Sequence, residues 1–316
     1  MENGKPVSVS QGRGATGSRR RALALMLGGW RLWTRAMAAD AGAPIRLAIS
    51  ESLASDVNIN DARAAMIIWL KRMETDLNLV IEFSPKVFDT TEEIVHRART
   101  GQFDAVALNV VEYRQIADML DPSQIVAEAD GAVEYVLLVN TGSGARRLSD
   151  LRGRRLTMLR GAKMCVAAPW LSALLEQANL GRTDRFFSSV ATDAKPSRVV
   201  LPVFFGQADA CLTSRRGFDL MGELNPQVAK DLTVIASSPA LIATFYTFHR
   251  NYRGASRERF AKIYSNMPVS VAGRQVATLF QFQGLAIKDA ACLAPALDIL
   301  DAADRAGREP GAGGRK

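Results

Sequence analysis

Cysteine and histidine are scarce in this sequence: 316 residues hold three Cys and two His. Cys165, Cys211 and Cys292 lie far apart, no CxxC occurs, and neither His96 nor His249 stands near any of them. A disulfide scaffold is thereby excluded. A zinc site, which takes three or four ligands at short spacings, is not expected either, nor is any cofactor. The same scarcity argues against catalysis. Cys165 opens a predicted helix, a position that lowers a thiol pKa, but a nucleophile needs a base, and His96 falls inside a helical pattern and His249 past a strand. The chain is therefore not expected to be an enzyme. After residue 38 no uncharged apolar run of about 18 residues occurs, so no membrane span is expected there. No repeat with a period of about 20 to 50 residues is visible, which sets repeat architectures aside.

A strong charge of one sign is also missing from most of the chain. The formal net charge is +8, from 40 basic and 32 acidic residues. Residues 1–38 carry seven of the basic groups against one acid, Glu2, which leaves 33 basic and 31 acidic groups, a net of +2, for the rest. The body offers no argument for binding a phosphate backbone, and no nucleic-acid partner is expected. What remains is an ordinary globular composition, 48% hydrophobic and 23% charged, long enough for two lobes.

Residues 1–38 read as an export signal: a basic segment ending Ser18-Arg19-Arg20-Arg21, an apolar run Ala22–Trp30, and Ala36-Met37-Ala38. The cationic part stays on the cytoplasmic side, the apolar part enters the translocon, and the small residues of Ala-x-Ala fit a peptidase pocket. The run is too short to span a bilayer, which takes about 20 residues, so cleavage after Ala38 is expected. Ser-Arg-Arg-x-x-Leu resembles the twin-arginine signal, with Ala22 in place of its usual Phe, so that route and the general secretory route both stay open. A periplasmic, monomeric protein is the expectation.

The body alternates apolar runs with helical patterns. Strands are predicted over Ile45–Ser50, Leu79–Phe83 and Asp104–Asn109, separated by helices over 61–77 and from Thr90-x-x-Glu93, a capping box, to Thr100. This is βαβαβ, which implies right-handed crossovers and a parallel sheet. A second set follows: strands Val133–Val139, Arg154–Leu159, Asp209–Thr213 and Leu232–Ala236, with helices over Cys165–Ala178, Ser197–Phe205 and Arg215–Leu224. Ile242–Phe248 is a further strand, 255–306 reads as mostly helical, and the Gly-rich tail 307–316 is expected to be disordered. The fold class is α/β, with two Rossmann-like lobes: 44–130 plus 245–306, and 140–235. Two crossing strands join them, and a ligand cleft lies at the carboxyl ends of the strands.

Several segments carry a resemblance. Gly101-Gln-Phe-Asp-Ala-Val-Ala-Leu-Asn109 looks like "G-x-x-D-[IV]-A-x-L", Leu148-Ser-Asp-Leu-Arg-Gly-Arg-Arg-Leu156 like "L-x-D-L-K-G-K-x-[IV]", and Gly206-Gln-Ala-Asp-Ala210 like "G-x-[AV]-D-A". Asn225-Pro followed by Leu232-Thr-Val-Ile-Ala-Ser-Ser-Pro239 completes the set. In this order, over about residues 45–250, they resemble the phosphate/phosphite/phosphonate-type substrate-binding proteins of ABC transporters, which have the type II periplasmic binding fold. The resemblance implies capture of a small polar or anionic molecule by lobe closure and its delivery to an ABC permease in the membrane. The alternative is a sensory ligand-binding protein that signals through a membrane partner. Where the family has a Ser/Thr-rich, oxyanion-gripping loop, this sequence has Arg160-Gly-Ala-Lys-Met164, and where members often place a His it has Pro196.

Candidate ligand contacts follow from position. Ser50, Glu51 and Ser52 follow the first strand, Asn109 ends the third, and Thr213 and Ser214 end the strand after Asp209. Arg160, Gly161 and Lys163 stand beside a helix N-terminus, where an anion is held by charge and backbone N–H groups. Tyr135 and Tyr246, on the presumed crossing strands, offer rings to the cleft.

Overall fold

The computed structural model describes residues 44–307 except 56–57, 78–80, 84–89, 130–131, 255, 266–269, 280–281 and 283. The predicted export signal and residues 308–316 of the predicted tail lie outside the described residues. Eleven strands are described: β1 (Ile45–Ile49), β2 (Ile81–Phe83), β3 (Ala105–Asn109), β4 (Ile125–Glu128), β5 (Tyr135–Asn140), β6 (Arg155–Leu159), β7 (Ser189–Asp193), β8 (Ala210–Ser214), β9 (Leu232–Ser237), β10 (Thr244–Phe248) and β11 (Leu285–Lys288). The helices are α1 (Ile59–Leu77), α2 (Thr91–Arg99), α3 (Val110–Ile116), α4 (Ala167–Gln177), α5 (Thr183–Phe186), α6 (Pro196–Phe204), α7 (Arg215–Leu224), α8 (Pro226–Asp231), α9 (Ser256–Ser265), α10 (Val271–Leu279) and α11 (Ala294–Gly307).

The strands form two sheets, ordered β11-β4-β10-β3-β1-β2 and β7-β6-β8-β5-β9. In the first, β1 pairs parallel with β2 and β3, as the βαβαβ pattern requires, and β10 runs antiparallel between β3 and β4. In the second, β6 is parallel to β7 and β8, and β5 is antiparallel to β8 and β9. The period of two along each strand divides the first sheet's residues between two cores. Ile45, Leu47, Ala105, Tyr246 and Phe248 join Trp69 and Phe260 on one face, while Ala48, Val106, Leu108 and Phe245 belong to the larger core that continues into the second sheet.

Local rules account for most helix starts. The Thr90 hydroxyl accepts from the Glu93 N–H at 3.2 Å, as the capping pattern predicts, and Pro196 occupies the first turn of α6, where its missing N–H costs nothing. Three strands were not predicted. β4 has four residues, β7 (Ser-Val-Ala-Thr-Asp) is a polar, largely exposed edge strand, and β11 is a four-residue strand inside the stretch read as mostly helical. Each is too short or too polar to show a hydrophobic period, and each is held by ladder bonds to a neighbour.

Two segments join the sheets, the one between β4 and β5, of which 129 and 132–134 are described, and 238–243 between β9 and β10. They pair through one bridge, in which the N–H of Val133 donates to the Leu241 carbonyl at 2.7 Å and that of Leu241 to the Val133 carbonyl at 2.9 Å. Helix α11, with Ala296, Ile299 and Leu300 buried, packs on α4, and its Asp301 and Asp304 reach Arg114 of α3 at 3.3 and 3.0 Å.

Candidate functional site

The parallel strands of both sheets end toward the crossing segments, and the polar residues at those ends meet there. From the first sheet come Ser50, after β1, and Asn109, the last residue of β3. The Asn109 side-chain oxygen accepts from the N–H groups of Val111 (2.9 Å) and Glu112 (3.0 Å), and the Glu112 carboxylate accepts from the Asn109 N–H at 3.0 Å. Together they form a capping box on α3. Ser50 donates its hydroxyl to the other Glu112 oxygen at 2.6 Å, and the Asn109 amide donates to the Ser52 hydroxyl at 2.9 Å. Ser50, Asn109 and Glu112 are all buried. A carboxylate of the chain itself thus occupies the place at this short helix where an anionic ligand group would otherwise sit.

From the second sheet comes the loop after β6. Gly161 adopts φ 153°, ψ 174°, a conformation that side-chain-bearing residues avoid, and it turns the chain into a short 3-10 turn, Ala162–Met164. That turn packs against the turn Glu51–Ala54 of the first sheet. The Lys163 ammonium reaches the Glu128 carboxylate, at the end of β4, at 2.7 Å, an ion pair between elements of the two sheets. The Tyr135 hydroxyl donates to the Lys163 carbonyl at 2.8 Å and so fixes the same turn from β5. Helix α4 then starts after Val166 with no side-chain cap among the described residues. Arg160 is exposed, its N–H bonded to the Asp193 carbonyl at 3.0 Å. Its charge, behind the Lys195 N–H and Arg198, helps hold the Asp193 carboxyl below its usual range.

Thr213, at the end of β8, is fully buried, and its hydroxyl has no hydrogen-bond partner among the described residues. Ser214 caps α7 by accepting from the Gly217 N–H at 3.0 Å. A Cβ on Gly217 would lie 3.0 Å from the Ser214 hydroxyl and 3.1 Å from that of Thr213, so glycine is what lets the first turn of α7 come this close. The crossing segment is tied to the same helix: Arg215 forks onto the Glu134 carboxylate at 2.9 and 3.2 Å.

Cys165 adjoins this site, with its sulfur 3.7 Å from the Ala243 carbonyl of the crossing segment. Burial, reinforced by the Glu112 charge, pushes its thiol up to about 12, the opposite of the lowering expected for a helix start. The thiol is protonated at neutral pH. The rings of Tyr135 and Tyr246 are both in the cores, because β5 and β10 are inner strands of their sheets and the crossing is made by the segments after β4 and after β9. Tyr135 contributes its hydroxyl to the site, whereas Tyr246 packs against Phe248 and Phe260. Glu51 is exposed on the turn that meets Ala162–Met164. Sequence reasoning missed Glu112, although Asn109-x-x-Glu112 has capping-box spacing, and it missed Glu128, which no local pattern marks.

Residues 54–291 match the protein family described as ABC transporter, phosphonate, periplasmic substrate-binding protein. No curated protein sequence matches the chain. Among solved structures, a Xanthomonas citri protein, XAC2383, bound to chloride ion is similar with a TM-score of 0.58 at 12% identity, covering 83% of this chain and 98% of that one. PhnD1 from Prochlorococcus marinus in complex with methylphosphonate gives 0.56 at 13%, covering 84% and 98%. A binding protein component of an ABC phosphonate transporter from Pseudomonas aeruginosa gives 0.52 at 14%, covering 84% and 88%. These likenesses establish the fold, that of type II periplasmic binding proteins. With well over half its length matched by the family, the chain belongs to the phosphonate-type periplasmic substrate-binding proteins of ABC transporters.

Proposed function

We propose that the chain captures a small polar solute of little net charge, neutral or zwitterionic, between its two sheets, presents it to the permease and performs no chemistry on it. The observation that carries the charge assignment is the Lys163–Glu128 pair. The cation at the loop where the family grips an oxyanion is already neutralised at 2.7 Å, and the buried Glu112 carboxylate faces the same region. A phosphonate dianion would enter with charge that these groups do not balance, whereas a zwitterion finds partners of both signs. The contact set is Ser50, Ser52 and Asn109 from one side and Gly161, Lys163, Thr213 and Ser214 from the other, with the orphaned Thr213 hydroxyl waiting for a ligand atom. Arg160 and Glu51 guide solute at the rim.

The lobes are 44–128 plus 245–288 and 135–237, and they close about the segments joining β4 to β5 and β9 to β10 while α11, which contacts α3 and α4, bridges them. Thermal-shift screening of methylphosphonate, taurine, aminoethylphosphonate, betaines and neutral polyols tests the ligand class. Stabilisation by zwitterions or polyols above methylphosphonate is expected, and the reverse order refutes the charge argument. Removal of residues 1–38 on export belongs to the same reading, by either the twin-arginine or the general secretory route. Replacing Arg19 and Arg20 by Lys should hold the protein in the cytoplasm under the first, and undiminished export indicates the second.

A further inference from the structure

Arginines gather at the end of the second sheet farthest from the site just described. Arg155 begins β6, and Arg146, Arg147, Arg152 and Arg154 precede it in the turn that leads in. Arg182 and Arg185 come from the start of α5. The N–H of Gly153 bonds to the Phe186 carbonyl at 2.7 Å and that of Ser188 to the Arg154 carbonyl at 3.0 Å, which joins the two segments into one face. Arg155 also grips Asp209 at 2.9 Å, bringing in the residues before β8. All seven guanidinium groups are on exposed residues.

The acids on this face are Asp150, Asp184 and Asp209, so it carries a net +4, and the rest of the body, at +2 overall from residue 39, is left net negative. Among the described residues no carboxylate lies within ion-pair distance of Arg146, Arg152, Arg154 or Arg185. Arg146 is instead held by the Ala145 and Thr141 carbonyls at 2.9 and 3.2 Å, and Arg152 by the Leu180 carbonyl at 3.1 Å and the Phe186 ring at 5.1 Å. Those contacts orient the forks without neutralising them. Exposed apolar side chains flank the charge on both sides: Phe205, 66% exposed, precedes Gly206, whose carbonyl accepts from Arg155 at 3.4 Å, and Val190 is exposed on the edge strand β7.

We infer that this face docks on an anionic phospholipid surface. Guanidinium forks match phosphate oxygens, and an aromatic ring beside them is suited to the headgroup boundary, where one side is wet and the other apolar. Because the face is at the opposite ends of the strands from the site, lipid contact leaves the cleft uncovered and keeps the protein in the plane where its permease lies. The inference stands apart from the choice of solute.

Sedimentation of the full chain with vesicles of phosphatidylcholine, with and without phosphatidylglycerol, tests it. Binding that requires phosphatidylglycerol and is lost at high salt is expected. A variant with Arg146, Arg147, Arg154 and Arg185 changed to Gln should bind these vesicles several hundredfold more weakly, at roughly fivefold per arginine. The basic leader, where still attached, is common to both proteins, so the difference reports on this face. Solute affinity is unchanged in the variant, and an Arg154→Gln, Arg185→Gln double variant serves if the fourfold one does not fold. In Phe205→Trp, the added emission should shift to the blue on these vesicles. Equal binding by wild type and variant overturns the inference. So does an unshifted Phe205→Trp emission, or tighter binding to soluble polyglutamate than to the vesicles, which assigns the face to an acidic protein.

Discussion

Cutting the Lys163–Glu128 pair should change both how readily the protein closes and what it closes on. The ammonium and carboxylate are 2.7 Å apart, on side chains 30% and 19% exposed, one in the turn after β6 of the second sheet and the other at the end of β4 of the first. A charge-assisted bond contributes about 1.5–3 kcal/mol; partial solvent access and salt reduce this to about 1–2 kcal/mol. Since 1.4 kcal/mol is a factor of about ten, Lys163→Met should lower the closed-to-open ratio roughly 5- to 30-fold. In a protein that is mostly open without solute, the apparent Kd rises by the same factor. Glu128→Gln acts differently. It leaves the ammonium without its counter-charge, so an anion becomes the better partner, and methylphosphonate should gain about tenfold in affinity while a zwitterion loses. Calorimetric titration of both single variants and the double variant, with small-angle scattering to follow closure, measures these terms. A coupling energy of about 1 kcal/mol or more is expected between the two positions. Additive effects within about 0.5 kcal/mol, with methylphosphonate affinity unmoved by Glu128→Gln, would refute the reasoning.

Asp121 is held at about 2, because Arg257, with help from Ser123, outweighs the upward push of burial. A depressed carboxyl contributes stability that is full above its unfolded pKa, near 3.8, and is lost as pH falls toward 2. After discounting for solvent, Asp121→Asn should therefore remove on the order of 1–2 kcal/mol at neutral pH and flatten the acid limb of urea-unfolding curves measured between these values; an unchanged acid limb counts against it. Cys165, half-buried and raised to about 12, should react with a thiol reagent at mildly alkaline pH far more slowly than after unfolding, and a native Cys292→Ala protein that reacts as fast as the unfolded one would contradict the shift. Gly217→Ala should cost about 1–3 kcal/mol in denaturant, as its Cβ meets the Thr213 and Ser214 hydroxyls, and should also weaken solute binding. A variant as stable as wild type that binds normally would remove Thr213 from the site.

The strands that the sequence made legible were those with their own hydrophobic period and turn residues. β1, β3, β5, β8 and β10 are largely buried apolar runs, β6 is apolar after Arg155, and α2 announces itself through Thr90-x-x-Glu93. β7 could not be read in this way, because an exposed edge strand with the sequence Ser-Val-Ala-Thr-Asp is defined by its ladder with β6, which is a tertiary contact. The same contrast holds for the site. Ser50, Asn109, Thr213 and Ser214 were recognisable as strand-end residues, because strand direction alone fixes which end faces the crossing segments.

By itself, then, the sequence determined the order of elements, the two-sheet α/β class and the family resemblance, since each rests on local periodicity, turn chemistry or short motifs along the chain. Only the tertiary structure decided which charges meet. Lys163 looks like a free cation beside a helix start until β4 brings Glu128 to it, Tyr135 looks like a cleft ring until its hydroxyl is seen fastening the Lys163 turn, and the seven arginines form a face only once α5 is laid against the start of β6. Charges on loops obey no periodicity, and their interaction depends on separation and burial, quantities that exist only after the strands have paired.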